Sequence, residues 1–510
     1  MKKKNYFEYL YLIILGALTS FSLPPYNFIL INFFTFSLFF FYIFKKKNKY
    51  QNVSFLYGWL FGFGYFLSSL YWVSISLSFD QNFKYLIPIA ILVIPSFLAI
   101  FYGVVTYCFF LIKTKKLLCN LFLFSLLFGM FEYLRGNILT GFPWNLIAYS
   151  FLNYLEVIQI VSVIGIYAFN TLCISLFVSP ALFLLKKKNK ETIIGILLLL
   201  SPIASYFSGL SKINSFQSLE LIKNDYVIRS VSSKIELDRF YLNVNTMSVI
   251  EELIELSDPN FDNKTLFIWP EGIIPNINQS ELVKFDYLFN KKFNENHIIA
   301  IGINSLKSNN NNNKFYNSLS IYNNKLKVID SYNKVNLVPF GEFLPFEKML
   351  KKIHLKSLTN NYQSFSSGEN RKIIKINENG FNIKILPLIC YEIIYSGRIY
   401  ESSDFDYIIN ISEDGWFGNS IGPHQHFTHS VFRAVESGKY IIRSANNGIA
   451  AIINPVGIIE KKISFGETGY IDLTEKRVLD TTLFSQHGNK MFLILIFLYI
   501  FLIFSFNRIS

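Results

Sequence analysis

Eight long apolar stretches, at about 8 to 23, 27 to 44, 53 to 79, 85 to 112, 117 to 134, 157 to 185, 192 to 210 and 491 to 506, set the frame for this chain. Each approaches or exceeds the length that crosses a bilayer as a helix. A 510-residue chain with 51% hydrophobic and 18% aromatic residues is too oily for a wholly soluble enzyme. The net charge of +13 does not point to nucleic acid. The lysines of the first part fall in tight runs, Lys2 to Lys4, Lys45 to Lys49, Lys113 to Lys116 and Lys186 to Lys190, each between apolar segments. If the first span runs from inside to outside, every run lies on the cytoplasmic side, which is the positive-inside pattern. The first stretch is short and interrupted by Pro24 and Pro25, but no small-residue cleavage site follows it, so a retained helix is expected rather than a signal peptide. The same alternation puts everything between the seventh and eighth spans on the outer face.

From about 211 the texture changes to short β-rich runs alternating with polar helical stretches, the pattern of an α/β globular domain. The expected organisation is a membrane domain over about 1–210 with about seven transmembrane helices, a globular domain over about 211–488, and a C-terminal transmembrane helix over about 489–510. Strands are expected at Tyr226 to Val231, Thr265 to Trp269, Ile298 to Ile303, Ser318 to Tyr322, Ile383 to Ile389, Tyr407 to Ile411, Tyr440 to Arg443 and Ala450 to Ile453. Several end directly in polar residues, and in α/β sheets such ends converge on one rim. The Asn-rich stretch from Asn309 to Asn313 reads as a surface loop. One polar connection stands out among the spans, running from Arg135 through Gly141, Pro143 and Trp144 to Asn145. It suits a re-entrant or interfacial loop near lipid headgroups, and equally a simple aromatic anchor at the membrane boundary.

Of the four cysteines, Cys108, Cys119 and Cys173 lie inside predicted spans as small apolar residues. Cys390 lies in the external domain without a partner, so it is either buried and inert or kept for its reactivity. Its position favours the second reading, because it ends the apolar run Ile383 to Ile389 and is followed at once by Tyr391 and Glu392. A thiol is mostly protonated at neutral pH and needs a base or a cation nearby to act as a nucleophile. Glu271, in Trp269-Pro270-Glu271-Gly272, and Lys334 with Glu342, in the segment from Tyr332 to Glu342, supply both at other strand ends. Each taken singly is more often a solvated charge, and only the combination has weight.

With these segments in order, the chain resembles the apolipoprotein N-acyltransferases, membrane-embedded members of the nitrilase superfamily. The resemblance spans nearly the whole length. It is carried by the loop from Leu134-Arg135-Gly136 to Pro143-Trp144, Trp269-Pro270-Glu271, Tyr332-Asn333-Lys334 to Gly341-Glu342, and Ile389-Cys390-Tyr391-Glu392. Asp414-Gly415-Trp416-Phe417-Gly418 and Gly422-Pro423-His424-Gln425-His426 complete it. It implies a multi-span α-helical membrane domain joined to an extracytoplasmic α/β nitrilase-like domain, an αββα sandwich. The implied triad is Glu271, Lys334 and Cys390, supported by Glu342, Tyr391 and Glu392, with no metal and no cofactor. The implied reaction moves an acyl chain from a membrane phospholipid through a Cys390 thioester to the α-amino group of the diacylglyceryl-cysteine of a lipoprotein. That chemistry implies a bacterial cell inner membrane with the catalytic domain on its periplasmic face. Arg135, Trp144, Trp416 and Phe417 are candidates for substrate contact.

Two departures from the family pattern stand out. After the first domain strand the chain reads Arg229-Ser230-Val231-Ser232-Ser233-Lys234-Ile235-Glu236, where a Gln-Gly-Asn-Ile-like or Gln-Pro-Asn-Ile-like start and a downstream Trp are expected. In Ser412-Glu413-Asp414 the middle position more commonly holds Asn. The three imidazoles His424, His426 and His429 have the density of a metal site, but no thiolate neighbours them, and a loop lining the acyl site is the expectation. The rival enzyme is a membrane-tethered nitrilase-like amidohydrolase, in which water accepts the acyl group. A transporter with an inactive external domain is disfavoured by the intact triad and by spans with few charges.

Overall fold

The computed structural model describes residues 3–46, 51–186, 188–242, 244–309, 312–345, 364–397, 399 and 402–508. Lys2, Lys47, Lys49 and Lys187 of the lysine runs, and the middle of the Asn-rich stretch, lie outside the described residues. The apolar stretches form helices α1 (Lys3–Thr19), α2 (Leu30–Lys45), α3 (Gln51–Leu70), α4 (Ile87–Ile112), α5 (Leu117–Arg135), α6 (Val161–Val178) and α7 (Asn189–Gln217). By length and composition, six helices among the described residues are able to cross a membrane, and two shorter apolar ones, Tyr6–Ser22 and Leu30–Lys45, accompany them. The third expected span is helical only to Leu70 and continues as the tighter turn Tyr71–Ser78. The sixth is interrupted at Gly165, whose φ of 74° takes it out of the helical region.

Close approach of α1 and α3 depends on glycine at both faces. A methyl group on Gly16 would lie 1.9 Å from the Phe61 carbonyl oxygen, and one on Gly64 would lie 2.0 Å from that of Ile13. Small residues at such crossings let helices pack in lipid, where apolar burial itself gives no net drive.

The globular domain is built on two six-stranded sheets. One has the order β12 (Gly469–Lys476), β1 (Ile222–Ser232), β2 (Thr265–Ile268), β3 (His297–Asn309), β4 (Asn312–Asn323), β5 (Val328–Asn333). The other runs β11 (Ile459–Ile463), β10 (Ala450–Ile453), β9 (Tyr440–Asn446), β8 (Tyr407–Glu413), β7 (Phe381–Ile389), β6 (Ile374–Glu378). The central trios, β1-β2-β3 and β7-β8-β9, are parallel. Asn309 and Asn312 pair at the end of the β3-β4 ladder, so the described residues of the Asn-rich stretch belong to strands.

Side chains alternate across each strand and sort into layers. Leu266, Ile268 and Ile298 meet Ile383, Ile385, Ile409 and Ile442 between the sheets. Phe267, Trp269 and Ile299 face outward against Val249, Ile250 and Leu253 of helix α8 (Thr246–Ser257). On the far side, Leu386, Leu388, Ile408 and Ile441 pack on Val431, Phe432 and Val435 of helix α9 (Gly422–Ser437). The layers are helix, sheet, sheet, helix, as in an αββα sandwich. That last core is continuous with Phe128 and Ile166 of the membrane helices and with Leu146 of the loop between them, so α9 is gripped between the second sheet and the membrane domain. The final helix, α10 (Lys490–Arg508), returns to pack its Tyr499 against Phe122 of α5.

Enlarging Gly64 to Leu is expected to destabilise the α1-α3 pair by about 1 to 3 kcal/mol or more. A lower thermal unfolding midpoint of the detergent-solubilised protein measures this, against an unchanged midpoint for Leu10→Ala, whose side chain is exposed.

Candidate active site

The apolar strand β7 stops abruptly at Cys390, which adopts φ 48° and turns the chain into the short helix Cys390–Ile394. A left-handed non-glycine residue costs about 1 to 3 kcal/mol and persists only where the surroundings hold it. Glu392 does much of that holding. Its Oε2 accepts from the Ile389 N–H at 2.9 Å, and its Oε1 accepts from the Tyr332 hydroxyl at 2.8 Å and the Val335 and Asn336 N–H groups at 2.9 and 3.1 Å. One fully buried carboxylate thus ties the cysteine turn to the segment that carries Lys334. The supporting role expected for Glu392 has this geometry behind it.

Lys334 follows β5 and is 1% exposed, so its ammonium has no water to rely on. It donates to Glu271 Oε1 at 3.1 Å and to Glu342 Oε1 at 2.9 Å. Asn317, on β4, donates to the same two oxygens, both at 2.7 Å, and closes the arrangement into a ring. The second oxygens are also fixed: Glu271 Oε2 accepts from the Glu413 N–H at 2.9 Å and Glu342 Oε2 from the Val338 N–H at 2.8 Å. Burial alone would lower the Lys334 pKa, but Glu271 and Glu342 outweigh it and hold the ammonium well above the ordinary lysine value. Burial raises Glu342. It also pushes the Cys390 thiol well up, with the Glu271 carboxylate adding to the effect and Lys334 opposing it. The resting thiol is therefore protonated, and a base must take its proton before sulfur can attack.

Glu271, Lys334, Glu342, Cys390 and Tyr391 all line one mostly apolar cavity of about 830 Å³. Its far wall belongs to the membrane domain and includes Trp72, Trp144, Ile89 and Val93. Ile89 and Val93 are also more than half exposed on α4, so the cavity reaches the apolar outer surface of that helix. Trp416 and Phe417 line the cavity as well. Phe240 stacks on Trp416 at 5.4 Å, an aromatic ring on the wall from the very segment whose family tryptophan is absent.

Arg135 has a different place from the substrate-contacting one expected. It is buried, paired with Glu132 and bonded to the Phe142 carbonyl oxygen, because a guanidinium in an apolar bundle must find its counter-charge nearby. It shapes the loop instead of touching the cavity. The loop is then clamped from the other side: the Tyr391 and Tyr395 hydroxyls donate to the Gly141 and Thr140 carbonyl oxygens, each at 2.9 Å. Trp144 and Trp72 both donate to Gln425 Oε1, at 2.9 and 3.2 Å. The aromatic-anchor reading of the loop gives way to a segment docked on the cysteine turn.

The histidines sit on helix α9 and not on a loop. Among the described residues no group of three or more His, Cys, Asp or Glu is arranged to hold a metal. His426 lines the cavity, and His429 is buried against Tyr149 and Trp144. Sequence reasoning passed over Asn317, which no motif marks, and Glu413, whose unusual residue type was noted without a role. Glu413 pairs with buried Arg239 and presents its own N–H to Glu271.

Because the thiol is raised, alkylation of Cys390 by iodoacetamide is expected to speed up about tenfold per pH unit between pH 7 and 9 with no plateau. Peptide mass spectrometry at Cys390 reads this directly. A plateau below pH 8 would mean a thiolate already formed at rest.

The model of the apolipoprotein N-acyltransferase N-terminal domain matches residues 15–179, and that of carbon-nitrogen hydrolase matches residues 247–478. The apolipoprotein N-acyltransferase of Rickettsia typhi is 33% identical over 485 residues, covering 93% of this chain and 94% of that one. Its counterpart in Brucella melitensis is 31% identical over 422 residues, 81% of this chain and 78% of the other. A crystal structure of Saccharomyces cerevisiae Nit3, of the nitrilase superfamily, covers 49% of this chain and 90% of its own at 18% identity and a TM-score of 0.35, too low to carry an argument. On the strength of the full-length relatives and both domain matches, the chain belongs to the apolipoprotein N-acyltransferase family.

Proposed function

We propose that this chain is an N-acyltransferase that carries an acyl group on Cys390 from a membrane phospholipid to the α-amino group of a diacylglyceryl-cysteine at a lipoprotein N-terminus. The observation that supports it best is the cavity itself, with Cys390, Glu271 and Lys334 on one wall and membrane helices on the other. Donor and acceptor in this reading are both lipid-anchored, and a soluble amide would need no such wall. The family relatives carry the same name.

In the first half-reaction Glu271 takes the thiol proton and Sγ attacks the ester carbonyl carbon. Negative charge builds on the carbonyl oxygen, where the Lys334 ammonium and the Tyr391 backbone N–H stabilise it. Collapse breaks the bond to the glycerol oxygen, which leaves as the lysophospholipid alcohol with the proton held by Glu271. In the second half the lipoprotein amine attacks the thioester carbon, Glu271 receives the amine proton, and collapse breaks the C–S bond, leaving an amide and a Cys390 thiolate that takes the proton back from Glu271. Glu342 and Asn317 keep Glu271 and Lys334 aligned throughout.

The domain division follows the same reading: residues 1–210 and 489–510 form the membrane unit and 211–488 the catalytic unit. The lysine runs, taken as cytoplasmic, put the catalytic unit on the periplasmic face of a bacterial inner membrane.

Incubating the purified full-length protein in detergent with acyl-labelled phospholipid is expected to leave a hydroxylamine-labile label on Cys390. Glu271→Gln and Lys334→Met are expected to cut the labelling rate by roughly 10²-fold or more. A full thioester-type label on Cys390→Ser would remove Cys390 from the mechanism, and normal labelling in either other variant would remove that residue. Release of free fatty acid in the presence of a diacylated lipopeptide, without N-acylated peptide, would favour the amidohydrolase reading.

A further inference from the structure

His426 is not one of the Glu271, Lys334 and Cys390 triad, yet it lines the same cavity and reaches the Cys390 backbone. Its Nε2 is 3.2 Å from the Cys390 backbone carbonyl oxygen, and its Nδ1 is 2.8 Å from Asp414 Oδ1. The ring is fully buried, stacked on Trp144 at 5.3 Å and met edge-on by Phe417 at 5.5 Å, so it has little freedom to turn. Asp414 is itself fixed by the Ser412 hydroxyl at 2.7 Å and by Arg443 Nη2 at 2.8 Å. Arg443 Nη2 also lies 3.1 Å from His426 Nδ1.

A carbonyl oxygen only accepts, so the contact with Cys390 requires the proton on Nε2. In the neutral ring this leaves Nδ1 to accept from Arg443. In the charged ring Asp414 takes the second N–H. Nε2 donates in both of these states; the remaining tautomer serves Asp414 with its Nδ1–H but sets a lone pair against the Cys390 carbonyl, whereas Arg443, beside both Nδ1 and Asp414, offsets the carboxylate when Nδ1 is unprotonated.

The peptide bond after Cys390 is planar and trans, so its C=O and the Tyr391 N–H point in opposite directions from one rigid plate. Fixing the oxygen therefore fixes the direction of the N–H. Cys390 at φ 48° is in a conformation its side chain disfavours, so the plate needs holding at its carbonyl as well as through the bonds of Glu392. We propose that His426, held by Asp414 and Arg443, is a positioning residue that clamps the Cys390 carbonyl and so aims the Tyr391 N–H at the oxyanion formed during acyl transfer. This role rests on the acyl-transfer reading given above. It also gives a role to the chain of Arg443, Asp414 and His426, each buried, that ends on the cysteine turn.

Two reactions of the same sulfur separate this role from plain structural support. Acylation by phospholipid passes through an oxyanion, whereas alkylation by iodoacetamide is a direct displacement with none. In full-length protein, His426→Ala is expected to slow acylation of Cys390 by roughly 10- to 100-fold, below the effect of losing an oxyanion donor outright. Alkylation of Cys390, read by peptide mass spectrometry, is expected to change by less than about threefold, since it draws nothing from the oxyanion donors. His426→Gln, which keeps an N–H donor, is expected to recover part of the acylation rate. Equal losses in both reactions for both variants would make His426 a structural residue only and overturn the proposal. So would an acylation rate in His426→Ala equal to wild type. A wild-type protein that is alkylated but takes no acyl label would instead overturn the acyl-transfer reading itself.

Discussion

A single ammonium group buried between two carboxylates organises this protein. Lys334 is almost wholly removed from water, and a cation in that position survives only with its counter-charges in contact. Glu271 and Glu342 meet that need from opposite sides, and Asn317 neutralises the remaining repulsion between their facing oxygens by donating to both. Breaking such a pair by removing one partner costs about 3 to 5 kcal/mol, because the other charge is left stranded. A further carboxylate, Glu392, joins the same segment to the cysteine turn, so the positions of Lys334 and Cys390 are not independent.

The membrane domain takes part in that arrangement. The buried Glu132 and Arg135 pair fixes the loop after α5, and that loop offers its carbonyl oxygens to Tyr391 and Tyr395, the residues just beyond the nucleophilic position. Helix α9 is packed on both units at once. The cysteine turn therefore has the second sheet on one side, the Lys334 segment on another and the bilayer domain on a third. Exposed apolar side chains of α4 and the polar ring line one continuous cavity, which suits a reaction whose reagents have apolar tails and polar reacting ends.

Eight of the strands were legible because they are interior to their sheets and each contains an apolar run. The four that escaped notice, β5, β6, β11 and β12, are the edge strands of the two sheets. Their sequences mix in charge, as in Ile-Glu-Lys-Lys-Ile of β11, since one side of an edge strand faces water and a continuous apolar edge would invite pairing with another chain. Glu271, Lys334 and Cys390 could be picked out because each follows an apolar run at a strand end. Asn317 lies within a strand and looks like any polar strand residue, so only the fold brings it to the site. Arg135 misled for a related reason: a charge near a membrane boundary looks like a headgroup contact until its partner, three residues earlier on the same helix, is seen facing it.

The central claim is that the acyl group waits on Cys390 for an amine. A single-turnover chase tests it most directly: acylate the full-length enzyme with phospholipid, remove all free lipid, add a diacylated lipopeptide, and follow the label by mass spectrometry. The account predicts that label lost from the Cys390 peptide reappears stoichiometrically as amide on the lipopeptide α-amino group. Label that stays on the protein, or leaves only as free fatty acid, would contradict it.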